Sequence, residues 1–157
     1  LLQEAGADKE KLLRAADFYV NHIQHVFTVS TLRYLIKGGR LSKWKGTAGE
    51  LLDMKPVLIV DKDGSLQVLK TIRGRKKSLK ALIEYVQENI ADPSRQIMGI
   101  CHGEDPDSLQ YTEDLLLQAV SPKELVESTI GCAIGAHTGR GIIGIVFFDA
   151  MDDEFEV

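Results

Sequence analysis

The chain is short of cysteine. It has two among 157 residues, Cys101 and Cys132, far apart and without Cys-x-x-Cys spacing. That pattern offers no redox or metal motif, and buried reduced thiols beside strand-like segments are the simplest reading of both. A cytoplasmic setting fits such cysteines. No apolar run is long enough to span a bilayer. The net charge of −4 gives no global pull toward nucleic acid or an anionic membrane, so no nucleic-acid partner and at most transient membrane contact are expected. Internal repeats and low-complexity segments are also missing. The first residues, Leu-Leu-Gln-Glu-Ala-Gly, carry no initiating Met and read as the interior of something longer, so a fragment is expected.

Two nucleotide-binding motifs are absent as well. Residues 134–141 read Ile-Gly-Ala-His-Thr-Gly-Arg-Gly, but no Gly-Lys-Ser/Thr ending opens a helix after them, which excludes a P-loop. The segment that follows, Ile142 to Phe148, is β-branched and aromatic and favours a strand. A dinucleotide fingerprint fails for the same reason, since its glycines must lead into a helix. What remains is a tight bend from which His137 and Thr138 project, chemistry suited to capturing an anion or an oxygen-rich head group. A loop whose glycines serve only a turn explains the run equally well on the residues alone.

A hydrophobic fraction of 44% and a charged fraction of 27% suit one soluble domain with a real core. Residues 8–25 read as a helix with Asp8 as N-cap and Leu12, Leu13, Ala16, Val20 and Ile23 along one face. Phe27 to Val29 is extended, and Ser30 caps a short helix that Gly38-Gly39 stops after Lys37. Residues 42–52 are expected to be helical, with Gly46, Ala48 and Gly49 allowing a close neighbour. Pro56 to Asp61 and Leu66 to Ile72 form a hairpin around Asp63-Gly64. The clearest helix is 75–90, with Leu79, Leu82, Ile83, Val86 and Ile90 at helical spacing. Gln96 to Cys101 is a strand, and Pro106 opens a helix to about Ala119. A single helical turn at Ser121 to Glu124 precedes a strand from Leu125 to Ile130. This alternation with one hairpin argues for an α/β sandwich with a mixed sheet.

Three segments then converge: Tyr34-Leu-Ile-Lys-Gly-Gly-Arg-Leu-Ser42; Lys55-Pro-Val-Leu58 followed by Arg73-Gly-Arg-Lys-Lys77; and Ile134-Gly-Ala-His-Thr-Gly139. In this order and spacing the chain resembles the C-terminal half of the DegV family, the bacterial fatty-acid-binding proteins that include the carrier subunit of the fatty acid kinase system. The resemblance implies a two-layer α/β sandwich with a mixed sheet of about six strands. It implies a division into a helical lead-in at 1–26 from a missing N-terminal domain, a lipid-binding domain at 27–150 and an acidic tail at 151–157. The family's early Asp-Ser and Ser-Gly-Thr segments, which supply Ser/Thr groups to the carboxylate, do not occur here.

By that resemblance the ligand is a long-chain fatty acid, no other cofactor or metal is expected, and the partner is the catalytic subunit of a fatty acid kinase. The protein itself would be a non-catalytic carrier. His137 and Thr138 match the positions nearest the head group, where donors must offset the desolvation of a carboxylate. Arg73 is the best cationic candidate, because a guanidinium fork suits carboxylate and acyl phosphate. Arg75, Lys76 and Lys77 extend that basic cluster, either for docking the kinase or as a solvated face. Arg40 and Arg140 are further candidates for anion or partner contacts; Arg40 could equally fix its own turn. Trp44, Lys45 and Arg140 depart from the family's usual residues.

Four weaker readings stand beside this one. A dihydroxyacetone-kinase-type enzyme would hold a small hydroxyketone through His137, and would need a small polar cavity instead of a long apolar one. An inert folded half would bind no lipid alone. His22 and His25, three apart on the expected helix, could share a metal, but no third ligand is apparent and a solvated face is simpler. Cys101 and His102, adjacent on a strand, point to opposite faces and do not cooperate.

Overall fold

The computed structural model describes residues 2–41 and 54–155. The chain opens with helix α1 (Lys9–His22), whose N-cap Asp8 accepts a hydrogen bond from the Lys11 amide at 2.8 Å. The helix ends at His22, and strand β1 (Ile23–Thr28) starts at once, so Ile23 and His25 belong to the sheet and not to the helix. The expected apolar face of α1 is also displaced. Leu13 and Val20 are exposed, while Ala15 is buried and Tyr19 stacks on Phe148 and Phe155. The ring contacts win because Phe155, near the chain's end, folds back and accepts a hydrogen bond from the Tyr19 hydroxyl on its carbonyl.

Helix α2 (Arg33–Lys37) follows, then β2 (Met54–Val60) and β3 (Leu66–Arg73), the expected hairpin with Gly64 in its turn. Ser30 does not cap α2; the Arg33 amide uses the Thr31 hydroxyl instead. The expected helix at 42–52, with Trp44, Lys45 and its small residues, lies outside the described residues. Next come α3 (Arg75–Asn89), β4 (Ile97–His102), α4 (Pro106–Ala119) and β5 (Glu124–Thr129). No helical turn forms at Ser121 to Glu124, because Glu124 already pairs with Ile97 in the sheet. The chain closes with α5 (Cys132–Thr138) and β6 (Ile143–Phe148).

Among the described residues six strands form one mixed sheet in the order β3-β2-β1-β6-β4-β5. Only β4 and β5 run parallel; the other neighbours are antiparallel. Strand alternation divides the core between the two faces. Val26, Val57, Ile100, Ile143 and Ile145 pack under α3 and α4 with Leu79, Leu82, Val86 and Leu116. Phe27, Leu58 and Ile142 face the other way, toward Leu35 of α2. The long helices thus make one layer on the sheet, as an α/β sandwich requires. On the opposite face lie the two short helices α2 and α5, and among the described residues they leave part of the sheet uncovered.

Candidate functional site

That second face carries a groove of about 470 Å³. Its floor is strand residues of one parity: His25 and Phe27 on β1, Val60 on β2, Leu66 on β3, Gly144 and Val146 on β6, Cys101 on β4. Its far wall is α5, through Ala133, Ile134, His137 and Thr138. The lining is mostly apolar, with polar atoms at few points.

The segment carrying His137 and Thr138 is the last turn of a helix, not the loop expected from its glycines. The bend follows it, where Gly139 (φ 72°) and Gly141 (φ 80°) hold left-handed backbone that disfavours side chains. Both glycines also have occupied surroundings: the Tyr34 ring and the Ser30 hydroxyl stand where a Cβ would go. Gly38 answers a different need. Its φ is −79°, ordinary for any residue, but a Cβ there would run into Nδ1 of His137. The second glycine segment, at the end of α2, therefore makes room for the histidine of the first.

His137 is half-buried, and its Nδ1 is buried with no hydrogen-bond partner among the described residues. Thr138 is buried, and its hydroxyl donates to the Ile134 carbonyl one turn back at 3.0 Å. Arg40 also lines the groove; its guanidinium donates to the Gly38 carbonyl at 2.8 Å, so it does fix its own turn. These three candidates come together.

The other basic candidates lie elsewhere. Arg73 is exposed at the end of β3, beside Met54, and does not line the groove. Arg75 is mostly buried and donates to Ser108 Oγ and Asp105 Oδ2, both at 3.2 Å, and to the Gly141 carbonyl at 2.6 Å. It ties the bend after α5 to the N-terminus of α4. Burial holds the Arg75 pKa below its ordinary value, with Asp105 opposing. Burial pushes the Asp105 carboxyl up, but its bonds from Ser108 and the Arg75 charge outweigh that and leave it below the usual range. Lys76 sits 5.6 Å from the Tyr111 ring centre, Lys77 is exposed, and Arg140 pairs with Glu104 at 2.8 Å on the surface.

Sequence reasoning missed two groove residues. His25, expected in the first helix, stands instead on β1 facing the groove, and burial lowers its pKa. Counting alternation back from Val29, Phe27 and His25 would have revealed the strand face. Cys101 faces the groove too, and burial raises its thiol pKa. Its neighbour His102 meets Glu127 at 3.3 Å, away from the groove lining. Cys132, expected to be buried, is exposed at the start of α5. His22 hydrogen-bonds Asp149 at 2.8 Å. Among the described residues no group of three or more His, Cys, Asp or Glu could hold a metal, and no helix is long and apolar enough to cross a membrane.

The sequence profile of the DegV family, described as uncharacterised proteins, matches residues 2–150. The chain belongs to the DegV family. A DegV domain-containing protein of Clostridium perfringens is 34% identical over 127 residues, which is 81% of this chain and 44% of the relative. Among solved DegV structures, a fatty acid binding protein of Streptococcus agalactiae is 30% identical with a TM-score of 0.81, matching 92% of this chain and 51% of its own. A Thermotoga maritima protein, whose structure is described as revealing fatty acid binding function, is 26% identical with a TM-score of 0.79 and is matched over 51% of its length. The chain thus spans about half the length of these DegV relatives.

Proposed function

We propose that this protein is a fatty acid carrier: the groove takes the acyl tail, and His137 with Thr138 holds the carboxylate. The observation that carries the reading is that His137, its Nδ1 buried against Gly38, lines an apolar groove together with Thr138 and Arg40. With Nδ1 packed on Gly38, the other ring nitrogen is the one that meets a ligand oxygen, and a hydrogen bond to a charged group there is worth about 1.5–3 kcal/mol. Arg40 adds positive potential at the same end, and the Thr138 hydroxyl can turn its proton from Ile134 to the ligand. The tail supplies affinity at about 0.8 kcal/mol per buried methylene, so ten methylenes offer roughly 8 kcal/mol before ordering costs.

The groove's volume falls in the usual range for small-molecule sites, and its apolar lining suits a lipid better than a small hydroxyketone. The fatty acid binding described for the S. agalactiae and T. maritima proteins supports the same ligand class. In this account the remainder of a two-domain DegV protein completes the carboxylate site with Ser/Thr groups. A fatty acid kinase then docks on the carrier and transfers a phosphoryl group from its own nucleotide to the presented carboxylate, with Arg73 and Lys76 as candidate contacts. The carrier contributes no reacting group of its own. Titration of the full-length protein with oleate tests the head-group assignment. A His137→Ala variant should bind at least tenfold more weakly, as the loss of about 1.4 kcal/mol or more implies. Equal affinity would remove His137 from the site.

A further inference from the structure

Resting on the fatty-acid reading above, we propose that His25 makes the groove selective for acyl chains carrying a hydroxyl group part-way along the tail. Two polar stations lie on the groove. One is the His137 and Thr138 end, a few residues before Ile142, which lines the same groove. The other is His25, whose register partner on β6 is Val146. Ile142 immediately precedes β6, and Val146 stands four positions after it, a run of about 14 Å at roughly 3.4 Å per residue of extended chain. A chain held by its carboxylate at the first station and lying along β6 therefore passes His25 with its middle.

His25 is half-buried among Phe27, Val60, Leu66 and Val146, and its ring makes no hydrogen bond or ion pair with any described residue. Burial favours its uncharged form. A neutral imidazole has one donor and one acceptor nitrogen. A plain methylene chain satisfies neither and strips water from both, while a hydroxyl can accept from the N–H or donate to the bare nitrogen, whichever faces the chain. A ketone only accepts, and a second carboxylate is penalised by the apolar floor. A hydroxyl is the group that best matches this ring in this setting.

The test is displacement of a fluorescent fatty acid from the full-length protein by stearate and by a series of mid-chain hydroxystearates. At least one hydroxystearate should bind about tenfold more tightly than stearate, the size of one recovered hydrogen bond. His25→Leu should abolish that preference while holding stearate as well as the parent does. His25→Gln, which keeps a donor and an acceptor, should retain part of it. The inference is overturned if no isomer outcompetes stearate, or if the preference survives in His25→Leu. Failure of stearate itself to displace the probe would instead sink the fatty-acid reading, and this inference with it.

Discussion

Substituting Gly38 by alanine adds a methyl group at the end of α2, and the methyl has nowhere to go. Its carbon would lie 3.1 Å from Cε1 of His137, closer still to Nδ1, and 3.1 Å from the Tyr34 carbonyl. Backbone strain plays no part, because φ at Gly38 is −79° and alanine adopts it freely. The His137 ring must therefore swing away, and under the proposed carrier role the carboxylate loses a donor. A hydrogen bond to a charged group is worth about 1.5–3 kcal/mol, which predicts a weakening of fatty acid binding by roughly 10- to 100-fold. The assay is titration with oleate, run as a double-mutant cycle. In a His137→Ala background the added methyl meets no ring, so Gly38→Ala should then change affinity by less than about twofold. If Gly38→Ala binds like the parent, or weakens binding equally in both backgrounds, the argument that Gly38 exists to seat His137 is wrong.

Three other outcomes follow from the same geometry. Burial depresses the His25 pKa, so the unfolded chain binds the proton more readily; stability should fall as pH drops through about 6.5, and His25→Leu should flatten that part of a pH series of urea melts. Cys132 is exposed while Cys101 lines the groove with a raised pKa, so oleate should slow iodoacetamide labelling of Cys101 and leave Cys132 unchanged, as peptide mass mapping would reveal. Arg75→Ala strands the Asp105 carboxylate and the Gly141 carbonyl and should cost about 2–4 kcal/mol in denaturant unfolding; a loss below about 0.5 kcal/mol would contradict its role as a clamp.

Much of the fold was legible because period and punctuation agree along most of the chain. Asp8, Gly64 and the Pro106 start each marked a boundary that the structure keeps. Errors arose where tertiary contacts overrode local pattern. The helical periodicity of α1 ran on into Ile23 because apolar spacing does not record that β6 pairs with the chain from that residue. Its buried side was misjudged because Phe155, distant in sequence, supplies the packing partner. The glycines around His137 suggest a loop, yet Gly135 sits within α5, where a Cβ would make ordinary contact with Ile130 at 3.9 Å. For the site, the motifs drew attention to His137, Thr138 and Arg40, which share the groove. They could not reveal that Arg75 faces inward, since a run of basic residues carries no sign of which one is buried. Nor could they find His25, whose place depends on strand register and not on any motif.

The most direct test of the carrier account is native mass spectrometry of the full-length protein as purified from a bacterial host. The account predicts a mass increment that organic extraction removes and identifies as one long-chain fatty acid per chain, with occupancy sharply lower in His137→Ala. Protein that carries no fatty acid, and acquires none when incubated with oleate, would contradict it.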